Sequence, residues 1–341
     1  MAVTKQANTE QKDGTGKRSP CRDVFLFSHA RTASNLLCRL LSDQPGFMQS
    51  EYHFQPAFLF ARKSFDWGPL TDITDEQRRE FDELHQEGMN NLQKARDAAI
   101  AENKRLFVKN HTFHVWEPSS LSQSMWGGTP ASPFTARTGP DASTIRTNPT
   151  LFPDEFLTSW QPVFLVRHPA LAFESWYRAE IRVEPIDILS KSWSYLTTFQ
   201  YSRQLYDWLV ANGHNDTSEK ENGSGARKNP LPIVLDADDI IDGESMAKLC
   251  KICDMDPECI RYKWEKSVPA DSATLGARQL SYMGGIWGST SIDKSKSSRG
   301  LNMEAKYDSW KEEFGITAAD QLCKRVRDAM PDYEYLKSKK I

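Results

Sequence analysis

The chain has 341 residues, of which 39% are hydrophobic and 26% charged, with 10 Trp and 17 Phe; that is enough apolar material for one large domain or two small ones. A formal charge of −3 argues against the strongly basic surface that binds nucleic acid nonspecifically, so DNA is not an expected partner. No run approaches the roughly 18 apolar residues of a membrane span, and the polar N-terminus lacks the apolar stretch of a signal peptide; the expected location is the cytoplasm, with no membrane partner.

Residues 1–20 are rich in Lys, Gln, Gly and Thr and predict a disordered tail, with the domain starting at 21 and running to 341. Asp23–Ala30 has the short apolar run of a buried strand, and Thr32–Gly46 has helical apolar spacing that ends in Pro-Gly. A long amphipathic helix is predicted from Thr74 to Lys104, followed by a second buried strand at Arg105–His111. The Ser-, Thr-, Pro- and Gly-rich stretch 117–153 reads as a surface excursion, the kind of long loop that often forms a lid or substrate wall.

Gln161–Ile181 is another strand that breaks at Arg-His-Pro into a helix, and a further helix is expected over Trp193–Ala211. The segment 212–230 is a polar linker within the domain. Leu231–Ile240 then supplies a fourth strand, before a helix that carries Cys250 and Cys253. The Cys-x-x-Cys spacing has no second ligand pair at finger-like distance, and the helical apolar pattern around it points to buried structural thiols rather than a metal site. Alternating strands and helices specify an α/β fold in three layers, a mostly parallel sheet with helices on both faces.

Two strand ends carry chemistry. At the first, a buried strand runs through a short turn into a helix whose leading N–H groups favour an anion; Arg31 adds a full charge, Thr32 and Ser34 add hydroxyls, and Asn35 caps the helix or contacts a ligand. The competing reading is that Thr32 or Ser34 merely caps the helix and Arg31 is a solvated surface charge. The Gly-x-x-x-x-Gly-Lys-Ser/Thr spacing of a nucleotide triphosphatase loop is absent. At the second strand end, Arg167 and His168 precede Pro169 at a helix start, with Ser175 two turns in, where parallel sheets open onto a ligand crevice.

Ser28–Leu37 resembles the 5′-phosphosulfate-binding loop of the P-loop sulfotransferase-like superfamily, and Val166–Arg178 resembles its 3′-phosphate-binding strand and helix. Leu106–Phe113 is similar to its Lys-x-His segment, Val234–Met255 to its strand-acidic-helix segment, and Tyr307–Phe314 to its C-terminal Trp-Lys-x-x-Phe segment, all in the right order. The resemblance implies a P-loop sulfotransferase-like fold, with Arg31, Thr32, Ser34 and Asn35 lining one phosphate site and Arg167 and Ser175 the other. It further implies His111 as general base on an acceptor hydroxyl and Lys109 as a stabiliser of transferred charge, with His114 as a nearby competitor. Arg299, upstream of the C-terminal segment, matches a nucleotide contact only with stretched spacing. A second departure is Ala33, which stands where the family usually has Gly and brings a methyl group that disfavours positive φ.

Asp238, Asp239 and Asp242, with Glu244 just beyond, follow the fourth strand, where they bind a cation or amine or simply open the next helix. Their Asp-Asp-x-x-Asp pattern is similar to the Asp-Asp-x-x-Glu signature of fungal arginine-containing cyclodipeptide synthases. That resemblance, favoured by Ala33 and the acidic run, implies an aminoacyltransferase of secondary metabolism that takes arginine from its tRNA, needs no cofactor and uses the three acids catalytically. The alternatives are a sulfotransferase using 3′-phosphoadenylyl sulfate (PAPS) and a small-molecule hydroxyl acceptor, and a noncatalytic accessory member of the fold. Oligomeric state is not readable from the sequence.

Overall fold

A computed structural model describes residues 22–139, 144–212, 231–267 and 275–341. The predicted tail and the polar linker after Asn212 lie outside these residues. Five parallel strands form one sheet: β1 (Val24–Ser28), β2 (Phe47–Glu51), β3 (Arg105–His111), β4 (Gln161–Val166) and β5 (Ile233–Asp236), in the order β2-β3-β1-β4-β5. The described helices are α1 (Ser34–Leu40), α2 (Gln55–Phe65), α3 (Asp75–Ala101), α4 (Pro118–Trp126), α5 (Asp154–Thr158) and α6 (Pro169–Ile181). They continue with α7 (Gln200–Asn212), α8 (Ala237–Asp242), α9 (Met246–Cys253), α10 (Ala277–Trp287), α11 (Met303–Phe314) and α12 (Ile316–Lys337).

The period-two alternation of side chains along a strand builds the layers. On β1, Phe25 and Phe27 face one apolar cluster with α2, α3, α7 and α12, while Val24 and Leu26 face a second with α1, α8 and α9. Every residue of β1 and β4 is buried, as expected for parallel strands covered on both faces. Cys250 and Cys253 lie buried in the second cluster, so both are packing thiols. No described helix is long and apolar enough to cross a membrane.

Three expectations need correction. The sequence reading missed β2, an edge strand whose Met-Gln-Ser-Glu alternates in exposure instead of forming a continuous apolar run. The helix expected over Trp193–Ala211 is interrupted: a 3₁₀ turn spans Lys191–Thr197, and Thr198 is extended, with its hydroxyl accepting from the Gln200 N–H to start α7. Much of 117–153 is anchored rather than a surface excursion. The buried Glu117 carboxylate accepts from the N–H groups of Ser119, Ser120 and Phe134, and Leu121, Ala136, Leu151 and Phe152 are in the core. Residues 140–143 of that stretch lie outside those described.

Candidate active site

The central strand β1 and its neighbours β3 and β4 end together, with Ser28 in register with His111 on one side and Leu165 on the other. Parallel sheets present ligands to this carboxyl edge. After β1 the chain turns through two left-handed residues, Arg31 at φ 64° and Ala33 at φ 69°. Ala33 thus adopts the conformation a glycine would favour, its methyl group making the turn costlier without preventing it. Thr32 is buried, with its hydroxyl donating to the His29 carbonyl at 2.8 Å; it closes the turn and caps no helix. Ala33 is the N-cap of α1 and Ser34 its first residue, so neither hydroxyl serves as the N-cap.

Arg31 and Arg167 lie side by side. Arg31 donates from Nε to Ser175 Oγ at 2.9 Å and from Nη1 to the Tyr282 carbonyl at 2.8 Å. Arg167 donates to the Arg31 carbonyl at 3.0 Å and the Lys296 carbonyl at 2.9 Å, while its Nε is buried without a partner. Burial pushes both guanidinium groups below their usual range, and the charge of Arg31 lowers Arg167 further. Among the described residues neither takes part in an ion pair. The two cations are thus held together on neutral acceptors, with one donor unspent.

Lys109 and His111 leave β3 two residues apart and hence on the same face. Lys109 is fully buried; its ammonium donates to Asn35 Oδ1, pairs with Glu51 and lies 4.5 Å from the Tyr52 ring centroid. Burial alone would depress this amine, but its neighbours Cys38, Tyr52 and Glu51 hold it above its ordinary value. The amine is thereby committed to positioning Asn35, whose own amide donates to Met283 Sδ at 3.0 Å.

His111 Nδ1 is 2.9 Å from Ser28 Oγ, and Nε2 is 3.4 Å from the Tyr52 hydroxyl. The Ser28 hydroxyl is also 3.4 Å from the Asn110 carbonyl; donation to that carbonyl lets it accept from Nδ1–H and leaves Nε2 as the lone-pair nitrogen, a tautomer assigned from the network. Burial, then the fields of His114, His29, Lys109 and Arg31, push the imidazole well below 6.5, so it is neutral at physiological pH.

Two cavities meet at this histidine. One, of about 160 Å³, is lined by Arg31, Ser34, Asn35, Arg167 and Lys296; the other, of about 480 Å³, by Phe58, Phe113, His114, Glu180 and Met283. Asn35, Tyr52, His111 and Tyr282 line both. Helix α10 covers the junction, its Tyr282 and Met283 contacting Arg31 and Asn35. Ser28, Tyr52, Tyr282 and Lys296 were missed by sequence reasoning. Lys296 sits in a visibly basic run, but nothing local marks the two tyrosines.

The acidic cluster is not part of this junction. Asp238 accepts from the Ser298 N–H and hydroxyl, Asp239 from Lys340 at 2.8 Å, and Asp242 pairs with Arg299 at 2.8 Å. Asp238 and Asp239 occupy the first turn of α8, where the helix dipole favours acids. Of α8 only Ile241 lines the first cavity. Arg299, expected as a nucleotide contact, is mostly exposed and engaged by Asp242 and Glu244. His168 caps α6, its Nδ1 accepting from the Ala170 N–H.

No family model matches the chain. It is 35% identical over 335 residues to sulfotransferase ppzF of Metarhizium rileyi, covering 93% of this chain and 95% of that protein. It is 36% identical over 341 residues to sulfotransferase ppzF of Metarhizium majus, covering 96% and 98%. A solved sulfotransferase domain from the curacin biosynthetic pathway aligns at 12% identity with a TM-score of 0.40, over 87% of this chain and 98% of that one. The two Metarhizium relatives overturn the aminoacyl-tRNA-dependent cyclodipeptide synthase reading: likeness along nearly the full length leads to sulfotransferases, and the acids that motivated the other reading are spent on Ser298, Lys340 and Arg299. On that full-length likeness, the chain belongs to the sulfotransferase family.

Proposed function

We propose that the protein transfers a sulfuryl group from PAPS to the hydroxyl of a small-molecule acceptor. The observation that carries this reading is the position of a neutral His111 between a cavity lined by two guanidinium groups and a larger aromatic one. The residues present suit the donor's phosphates: Arg31 and Arg167 have no carboxylate counterion among the described residues, and the buried Nε of Arg167 lacks an acceptor. When bound, PAPS supplies an activated sulfuryl group whose transfer breaks the S–O bond to phosphate and leaves adenosine 3′,5′-bisphosphate.

In this scheme Arg31 and Arg167 hold phosphate oxygens, with Ser34 and Lys296 on the same cavity wall, and Ser175 accepts from Arg31 Nε to hold that guanidinium in place. The acceptor enters the aromatic pocket and places its hydroxyl at His111 Nε2, which takes the proton as the oxygen attacks. Ser28 holds the opposite nitrogen and so fixes the ring, while Lys109 acts through Asn35. Arginine suits this role because it stays charged even when burial lowers its pKa.

Isothermal titration with adenosine 3′,5′-bisphosphate tests the assignment. Wild type should bind it, and Arg167→Gln should bind about 100-fold more weakly with an unchanged circular dichroism spectrum, because a buried charge-assisted contact is lost. Absence of binding to folded wild type would overturn the donor assignment.

A further inference from the structure

His114 is 5% exposed, and among the described residues neither ring nitrogen makes a hydrogen bond; Nδ1 is fully enclosed. Its ring packs 4.5 Å from Phe58, 4.8 Å from Phe113 and 5.1 Å from His111, centroid to centroid, on the floor of the larger cavity. Burial, with the fields of His85 and His29, pushes it down to about 3, so it is a neutral imidazole with one donor and one acceptor. An apolar ring would pack against these aromatics without the cost of an unpaired polar group. Nδ1 is enclosed beyond a ligand's reach, so Nε2 is the ring atom that a molecule entering the cavity can pair with.

The other polar groups of that cavity narrow what enters. Glu180 is taken by Arg62, Arg278 and Tyr282, and Glu51 by Lys109, so each charge on the wall already has its opposite. An ionic acceptor finds no counter-charge there. A flat ring finds Tyr52, Phe58 and Phe113.

We infer that His114 determines acceptor specificity, and that the acceptor is an uncharged aromatic or heteroaromatic molecule carrying two polar groups, a hydroxyl at His111 and a second hydrogen-bonding group at His114. This rests on the sulfotransfer reading for the role of the first hydroxyl.

The test uses 1,3-dihydroxybenzene and 3-methylphenol, which have nearly the same shape and differ in the second polar group. Their binding to the bisphosphate-free protein is measured by ligand-observed NMR, and their sulfation by product formation from PAPS. Wild type should prefer the dihydroxy probe about tenfold in both, His114→Phe should lose the preference, and His114→Gln, which keeps a donor and an acceptor, should retain part of it. Equal binding of the two probes by wild type, or an undiminished preference in His114→Phe, overturns the inference. Should His114→Phe fail to fold, the wild-type comparison and His114→Gln carry the test. Binding preference without any bisphosphate affinity would uphold the role of His114 while removing the sulfotransfer reading, so the two failures are distinguishable.

Discussion

Replacing Glu180 with Gln tests how helix α10 is held over the site. The Glu180 side chain is 2% exposed and receives Arg62 at 2.9 Å, Arg278 at 2.5 Å and the Tyr282 hydroxyl, tying α2, α6 and α10 together. Removing one charge from a buried pair costs about 3–5 kcal/mol. Gln still accepts from Tyr282, and both arginines retain the half-exposed Glu184, so the lower figure applies, about 3 kcal/mol. For a chain of this size that corresponds to a fall in Tm of about 4 °C, measured by scanning calorimetry. Burial alone would raise the Glu180 carboxyl, but Tyr282, Arg278 and Arg62 hold it below 4.5. A depressed carboxyl stabilises the fold above its unfolded value and loses that contribution as pH falls through the folded one. The Tm gap between wild type and Glu180→Gln should therefore be full at pH 7 and shrink below 4.5. A shift under about 1 °C at neutral pH, or a gap that does not narrow below about pH 4, would refute the reasoning.

Ala33→Gly should raise stability by about 0.5–1 kcal/mol in urea unfolding, because relief of the left-handed strain outweighs the added freedom of the unfolded chain; a loss of stability would contradict the strained-turn account. The pH profile of kcat/KM should show no acidic limb from His111 near 6.5, since its folded pKa lies well below that value and the base stays unprotonated as pH drops past neutrality. A limb at 6.5 or above, traced to His111 by its loss in His111→Ala, would mean that the imidazole is solvated and not the buried base described above.

The sheet was legible in the sequence because β1, β3, β4 and β5 are short apolar runs buried on both faces, a pattern that needs no knowledge of neighbours. That Arg31, Arg167 and His111 fall at one edge of the sheet was legible for a related reason: each follows such a run, and parallel strand ends share one edge. The edge strand β2 was not, since its polar alternation depends on having a partner on one side only.

The acidic run shows the limit most sharply. Asp238, Asp239 and Asp242 look like a binding cluster along the chain, but whether a carboxylate is free depends on what distant segments bring to it, here Ser298, Lys340 and Arg299. The same holds for the walls of the site. Tyr52, Tyr282 and the unpaired His114 acquire their meaning from β2, α10 and the Phe58–Phe113 packing that surround them. Local pattern thus determined which strand ends carry the two arginines and the histidine. Only tertiary packing decided which polar groups are already satisfied, because a hydrogen bond or ion pair is set by distance in space and not by separation along the chain.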